Sequence, residues 1–348
     1  MSGKDLSKAA ALALALVLLV IGGWEIYLRS KGVVLAYDNG KELWADKRAM
    51  VYEPADRTTV FIGSSRIKYD LDIDTWQQVT GRHAVQLAIE GNNPLPVLVD
   101  LGNDTLFKGR LVVDITEVLF FSNAPFYQEK SNTNIAWYKS RTPAQKASFV
   151  LDHALESQFV FLDNQSLSLN AELARIRVPD RPGVFVFPTF PMEFNATQFN
   201  RQDKMTPRFL ADTSLQHRVQ NIWVFLMTMG RDAPPPKEDP IPAVLQLAKE
   251  AVEKIKARGG EVVFIRTPSS GPMLEGERHG FPRARFWEPL LTATHCPGIF
   301  FSDYPATDHF ICPEWSHLSP SDAVLYTRAL ITELPNSFVR QGDKTALN

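Results

Sequence analysis

Ser65 and His317 are the residues of this chain whose types and surroundings could perform nucleophilic chemistry. Thr59 to Arg66 reads T-V-F-I-G-S-S-R, a run suited to a buried strand that passes straight into Gly63, Ser64, Ser65 and a charge. A strand that ends in such a turn lifts a hydroxyl to the C-terminal edge of a parallel sheet, where ligands of α/β proteins bind. A Ser hydroxyl is a poor nucleophile until a base removes its proton. Glu314-Trp315-Ser316-His317-Leu318-Ser319 supplies an imidazole, with Glu314 three residues earlier to hold its tautomer and stabilise its protonated form. A base of this kind is worth about 10² to 10⁴ in rate. Each motif alone also fits a plainer structure. The Gly-Ser-Ser turn suits an ordinary loop or an anion nest. His317 equally suits a surface position among the helix-capping serines Ser316, Ser319 and Ser321, and Asp308 with His309 forms a rival pair on the preceding loop.

Backbone N–H groups beside the nucleophile would complete such a site. Gly91 and Asn92 follow the apolar run Ala84 to Ile89, and with the N–H of Ser65 they are the candidate oxyanion donors. Losing one such donor typically costs about 3 to 4 kcal/mol in the transition state. An Asn-rich turn that caps the next helix reads the same way. Arg66 and Arg266 stand near predicted strand ends and are candidates for binding an anionic or sugar substrate, whereas Arg283 and Arg285 better suit an amphipathic surface helix. No His and Cys spacing reads as zinc, and no phosphate-loop or dinucleotide fingerprint is present, so no metal or cofactor is expected.

The elements that must carry these residues alternate. Strands are expected at Thr59 to Ser64, Ala84 to Ile89, Arg110 to Ile115, Glu261 to Arg266 and Gly298 to Ser302. Helices are expected over Pro94 to Phe107, Lys146 to Gln158, Leu215 to Met229, Ala243 to Arg258 and Ser321 to Leu334, the fourth stopped by Gly259 and Gly260. Alternation of this kind predicts an α/β fold with a parallel sheet and helices on its faces. Gly183 to Phe190 is apolar but broken by prolines, and Arg231 to Pro242 carries five prolines, which predicts an extended surface connection.

The N-terminus differs from this pattern. Ala9 to Leu28 is a run of twenty mostly apolar residues whose one charge is Glu25, long enough as a helix to cross about 30 Å of hydrocarbon. Trp24 and Tyr27 lie where interfacial aromatics belong. A cleaved signal peptide is the rival reading, and the lack of a clear small-x-small site after the run favours a retained anchor through residues 9–28 in a lipid bilayer. Net charge is a formal −2 with no basic block, which argues against a nucleic-acid partner. Cys296 and Cys312 flank the last strand; paired, they would close a loop of about 16 residues worth about 3 kcal/mol, and unpaired they would be two buried thiols.

Taken together, F-I-G-S-S, then Q-L-A-I-E-G, then E-W-S-H-L-S before a final helix resembles the SGNH or GDSL hydrolase-like superfamily. It resembles most the membrane-anchored extracytoplasmic branch, which includes the D-alanine transfer protein of teichoic acid and the alginate O-acetylation proteins. The resemblance covers about Val60 to Asp114 and Glu261 to Leu334. It implies a flavodoxin-like sheet, Ser65 as nucleophile, Gly91 as an oxyanion glycine and His317 as base, with Glu314 where the family usually has Asp. Ser64 stands where many members have Asp, and the Asn expected after the third strand is missing, for that strand continues Asp114-Ile115-Thr116-Glu117.

The domain plan that follows is a cytoplasmic stub at 1–8, the anchor, a linker at 29–56, the domain at 57–335 with an insertion at about 122–242, and a tail at 336–348. The resemblance further implies a serine O-acyltransferase or esterase, anchored in the inner membrane with its domain outside. Its partners would be a membrane-bound O-acyltransferase and a polysaccharide acceptor. A catalytically silent scaffold or glycan-binding component is the alternative, motivated by the missing Asn and the insertion.

Overall fold

The computed structural model describes residues 3–163, 167–176, 187–232 and 237–339. Its strands are β1 (Thr58–Ile62), β2 (His83–Gln86), β3 (Arg110–Asp114), β4 (Glu261–Arg266) and β5 (Gly298–Phe300), all parallel and ordered β2-β1-β3-β4-β5. A two-residue antiparallel ladder pairs Ala196–Thr197 with Asp203–Lys204. The longer helices are α1 (Gly3–Ser30), α2 (Lys41–Ala49), α3 (Ser65–Asp70), α4 (Ile73–Thr80), α5 (Leu95–Asn103) and α6 (Glu129–Ser140). They continue with α7 (Pro143–Glu156), α8 (Leu169–Arg175), α9 (Thr213–Asp232), α10 (Ile241–Ala257), α11 (Gly271–Gly280), α12 (Trp287–Thr294) and α13 (Pro320–Glu333).

Period-2 alternation sorts the strand residues between two core layers. Val60, Ile62, Leu111, Val113, Val262 and Phe264 face a layer built with α2, α5, α10 and α12, including Trp44, Leu98, Val252 and Leu290. Phe61, Val112, Val263 and Ile265 face the other layer, with Ile67 of α3, Trp76 of α4 and Tyr326 and Leu330 of α13. Both faces of the sheet are therefore covered, which is why the strands read as continuous apolar runs.

The chain divides into two compact units, one formed by Met1–Asp38 with Pro143–Phe187, the other by Asn39–Thr142 with Pro188–Asn348. The first contains α1, which is long and apolar enough to cross a membrane. The sheet lies in the second, as does the later part of the expected insertion.

Several expectations are corrected. The stretch 29–56 is not a loosely packed linker throughout, because α2 buries Leu43, Trp44, Ala45 and Arg48 and the Trp44 indole donates to Leu87 O at 2.9 Å. The tail starts later than expected, since Phe338 and Val339 are buried in the α13 layer. Cys296 and Cys312 are not bridged. They lie in the two different core layers, on opposite faces of the sheet, with Sγ atoms against Thr294 O at 3.6 Å and Pro268 O at 3.8 Å. Burial raises the pKa of both thiols. Residues 183–186 of the proline-broken apolar run and 233–236 of the proline-rich connection lie outside the described residues.

Candidate active site

Sheet growth reverses between β1 and β3, and the crevice at the C-terminal ends of these strands is where a parallel α/β sheet binds ligands. Gly63 opens that crevice. A Cβ there would stand 2.7 Å from Ile67 Cγ2 and 2.8 Å from Asp114 Cβ, so only glycine lets the end of β1 pass so near the end of β3. Ser64 is then the N-cap position and Ser65 the first residue of α3. Ser65 is half-buried, and its N–H, like that of Gly91, has no backbone acceptor among the described residues.

Ser65 Oγ lies 2.8 Å from His317 Nε2, and His317 Nδ1 lies 2.8 Å from Glu314 Oε1. A carboxylate only accepts, so Nδ1 carries the proton and Nε2 accepts from the serine hydroxyl. Glu314 Oε1 also accepts the His317 backbone N–H at 2.7 Å, while Oε2 accepts the indole N–H of Trp223. Glu314 and His317 are almost wholly buried at 0% and 1% exposure, so every lone pair used here is used within protein. Rings surround the imidazole: Tyr69 at 4.4 Å between centroids, Phe194 at 5.7 Å and Trp223 at 6.0 Å.

Two further contacts tie the base to the rest. Asp70, the last residue of α3, accepts the Leu318 N–H at 2.9 Å, fastening the nucleophile's helix to the loop that holds His317. Trp315, between Glu314 and Ser316, takes a left-handed φ of 79°, and its carbonyl accepts the Ser270 N–H at 2.9 Å. A non-glycine residue in that region costs about 1 to 3 kcal/mol, a strain the packed loop sustains. Helix α9 grips the same loop twice, through Trp223 and through Gln220 Nε2 to Pro313 O at 3.1 Å.

The other candidates sit differently. Asn92 is largely engaged already. Its backbone N–H reaches Ile89 O at 3.2 Å and one Nδ2–H reaches Glu90 O at 3.1 Å, while its Oδ1 accepts from Ser131 N at 3.3 Å, so its backbone N–H is taken and one Nδ2–H is left. Gly91, at φ 62°, forms the left-handed bend of this turn. Arg66 and Arg266 do not face solvent as substrate ligands would. Arg66 pairs with Glu277 and reaches Ser316 Oγ at 3.4 Å, and Arg266 pairs with Glu117 at 3.2 Å and with Glu277. Burial raises the Glu277 pKa, but Arg266 and Arg66 outweigh it and hold the carboxyl at about 2. Asp308 and His309 lie in an exposed loop, with the imidazole against Pro305 O at 3.1 Å, and the rival pair is not assembled there.

Three polar partners had no local signal in the sequence. Thr116, just past β3 where the family's Asn was expected, places its hydroxyl 2.7 Å from Ser64 Oγ. Asp114 is wholly buried, and burial, opposed by Arg66 and Arg266, pushes its carboxyl to about 6. Trp223 is one apolar residue of a helix among many; only the unmet second oxygen of Glu314 announces that some donor must be found. No protein-family model matches the chain, and no curated protein matches it significantly.

Proposed function

We propose that this chain is a membrane-anchored serine acyl-transfer enzyme of the SGNH type, acting on a polysaccharide. The observation that carries the reading is the continuous Ser65–His317–Glu314 hydrogen-bonded row at the sheet's ligand edge. The strand order 2-1-3-4-5 supports the flavodoxin-like assignment. Ser65 Oγ attacks the acyl carbonyl as His317 Nε2 takes its proton, and the bond from acyl carbon to leaving group breaks with that proton passing to the leaving group. A sugar hydroxyl, or water, then gives its proton to His317 and displaces Ser65 from the acyl carbon. The N–H groups of Ser65 and Gly91 are the donors this reading assigns to the developing oxyanion.

Helix α1 holds the domain to the inner membrane on its extracytoplasmic side. Tethering beside a membrane-bound O-acyltransferase would raise the effective concentration of acyl donor. The committed backbone N–H of Asn92 favours the silent-scaffold reading, and one experiment separates the two. The full chain is incubated with a small activated acetyl ester and its intact mass measured. A single acetyl adduct, lost in Ser65→Ala and slowed in His317→Ala, supports the enzyme; no adduct and no ester turnover, with or without membranes carrying the acyltransferase, overturns it.

A further inference from the structure

Helix α7 exposes Ala147, Val150, Leu151, Ala154 and Leu155, spaced i, i+3, i+4, i+7 and i+8 and so forming one stripe. Val150 and Leu151 are 64% and 67% exposed. Leu169, Leu173 and Ile176 repeat the pattern along and just past α8 at i, i+4 and i+7, with exposures of 74%, 54% and 62%. Single exposed aliphatics are ordinary, whereas two stripes in one short stretch of chain mark an interaction surface.

The same unit fixes where this surface lies along α1. Glu25, within the apolar run, accepts the backbone N–H groups of Val160 at 3.1 Å and Phe161 at 3.2 Å, and Arg29 Nε at 2.7 Å. Arg29 Nη2 in turn donates to Gln158 O at 2.9 Å. A carboxylate in a membrane span must be paired, and here the chain just after α7 pairs it. Glu25 lies about 24 Å along the helix from Ala9 at 1.5 Å per residue, close to the end of a hydrocarbon core about 30 Å thick. Trp24 and Tyr27, stacked with centroids 5.5 Å apart, stand on the same turns, the level of an interfacial aromatic belt.

We infer that α7 and α8 rest in the bilayer interface beside the anchor, with Val150, Leu151, Leu155, Leu169, Leu173 and Ile176 against lipid. This rests on reading α1 as a membrane span and is independent of the serine chemistry. Lipid fits better than a protein because the stripes are wholly aliphatic, whereas the centres of protein interfaces rely on Trp, Tyr and Arg. The chain at the end of the α7 stripe also adjoins the level at which α1 leaves the hydrocarbon.

The test uses the full chain in nanodiscs of phosphatidylethanolamine and phosphatidylglycerol, with one nitroxide at a time on Leu151→Cys, Leu173→Cys, Leu19→Cys within the span, or Leu325→Cys on α13. Cys296 and Cys312 are buried and stay unlabelled. The expected result is that labels at 19, 151 and 173 collide more with oxygen than with an aqueous nickel chelate, and the label at 325 the reverse. Labels at 151 and 173 that behave like 325, or that are shielded from both reagents as a protein partner would shield them, overturn the inference. A nickel-accessible label at 19 removes the span and the inference with it, while leaving the acyl-adduct experiment unaffected.

Discussion

Two groups of polar side chains lie at the C-terminal edge of the same sheet and share a neighbouring pair of residues. Ser65 belongs to a row that runs through His317 to Glu314 and Trp223. Arg66, the next residue, belongs to a closed cluster with Arg266, Glu117 and Glu277. In the row every partner is satisfied except at the Ser65 end, where a half-buried hydroxyl and its N–H stay open to an incoming group. In the cluster the charges neutralise one another. Residue type alone does not separate the two groups; what separates them is where bonding capacity is left over, at the half-buried Ser65 in the row and at an Arg66 Nη1 sealed from solvent in the cluster.

The comparison can be broken most sharply by truncating the row. Ser65→Ala and His317→Ala should each lower acyl-enzyme formation by several orders of magnitude, and the double variant should fall no further, because members of one catalytic unit are not additive. In stability, Ser65→Ala should cost no more than about 1 kcal/mol, the worth of one hydrogen bond, and His317→Ala, which leaves the buried Glu314 carboxylate short of a partner, about 1 to 3 kcal/mol. Additive rate losses would show that the two do not act together.

Truncating the cluster should do the opposite. Glu277→Ala leaves two arginines buried without their shared partner, and a loss of about 3 to 5 kcal/mol in stability is expected from denaturant unfolding. A midpoint near wild type would mean that the cluster is solvated and that Arg66 or Arg266 is available to a ligand after all.

Two buried carboxyls beside the same arginines, Glu277 and Asp114, differ in the sign of their response to pH. The folded-state pKa of Glu277 is depressed to about 2, so its stabilisation is complete above the unfolded value near 4.3 and is lost as pH falls toward 2, by about 3 kcal/mol. Asp114 has its folded-state pKa raised to about 6, so the native state binds the extra proton and stability declines as pH rises from about 4 to 6, again by about 3 kcal/mol. Urea unfolding across pH 2 to 8 should lose its acid limb in Glu277→Gln and its decline above pH 4 in Asp114→Asn.

The smallest effect is expected at Trp223. Trp223→Phe keeps a ring beside His317 but deletes the N–H on Glu314 Oε2, and acyl-enzyme formation should fall about tenfold, the cost of a bond to a charged group. The freed carboxylate becomes the stronger acceptor for the His317 Nδ1 proton. The loss should fall on the acylation rate and leave the concentration dependence on ester unchanged, a split that a purely structural loss would not produce.

The strands, the Gly63 turn and the last helix were legible because each depends on local pattern: period-2 apolarity, a glycine at a close approach, and a serine before the helix start. The expected span Glu261 to Arg266 coincides with β4, and α10 and α13 begin and end within a few residues of expectation. The pairing of Ser65 with His317 was suggested by motif and became visible only when 252 residues of separation closed to 2.8 Å. Asn92, Arg66, Arg266 and the cysteines were misjudged for one reason. Their types allow a role, but hydrogen bonds and charges were already taken, within its own turn for Asn92 and by residues distant in sequence for the arginines, and the sheet stands between the cysteines. By itself the sequence determined the elements, the position of a serine at a strand end and an apolar helix long enough to cross a membrane. The tertiary structure decided which polar atoms remained free, because a donor or acceptor is spent by whatever the fold brings beside it, and that lies in no local stretch of chain.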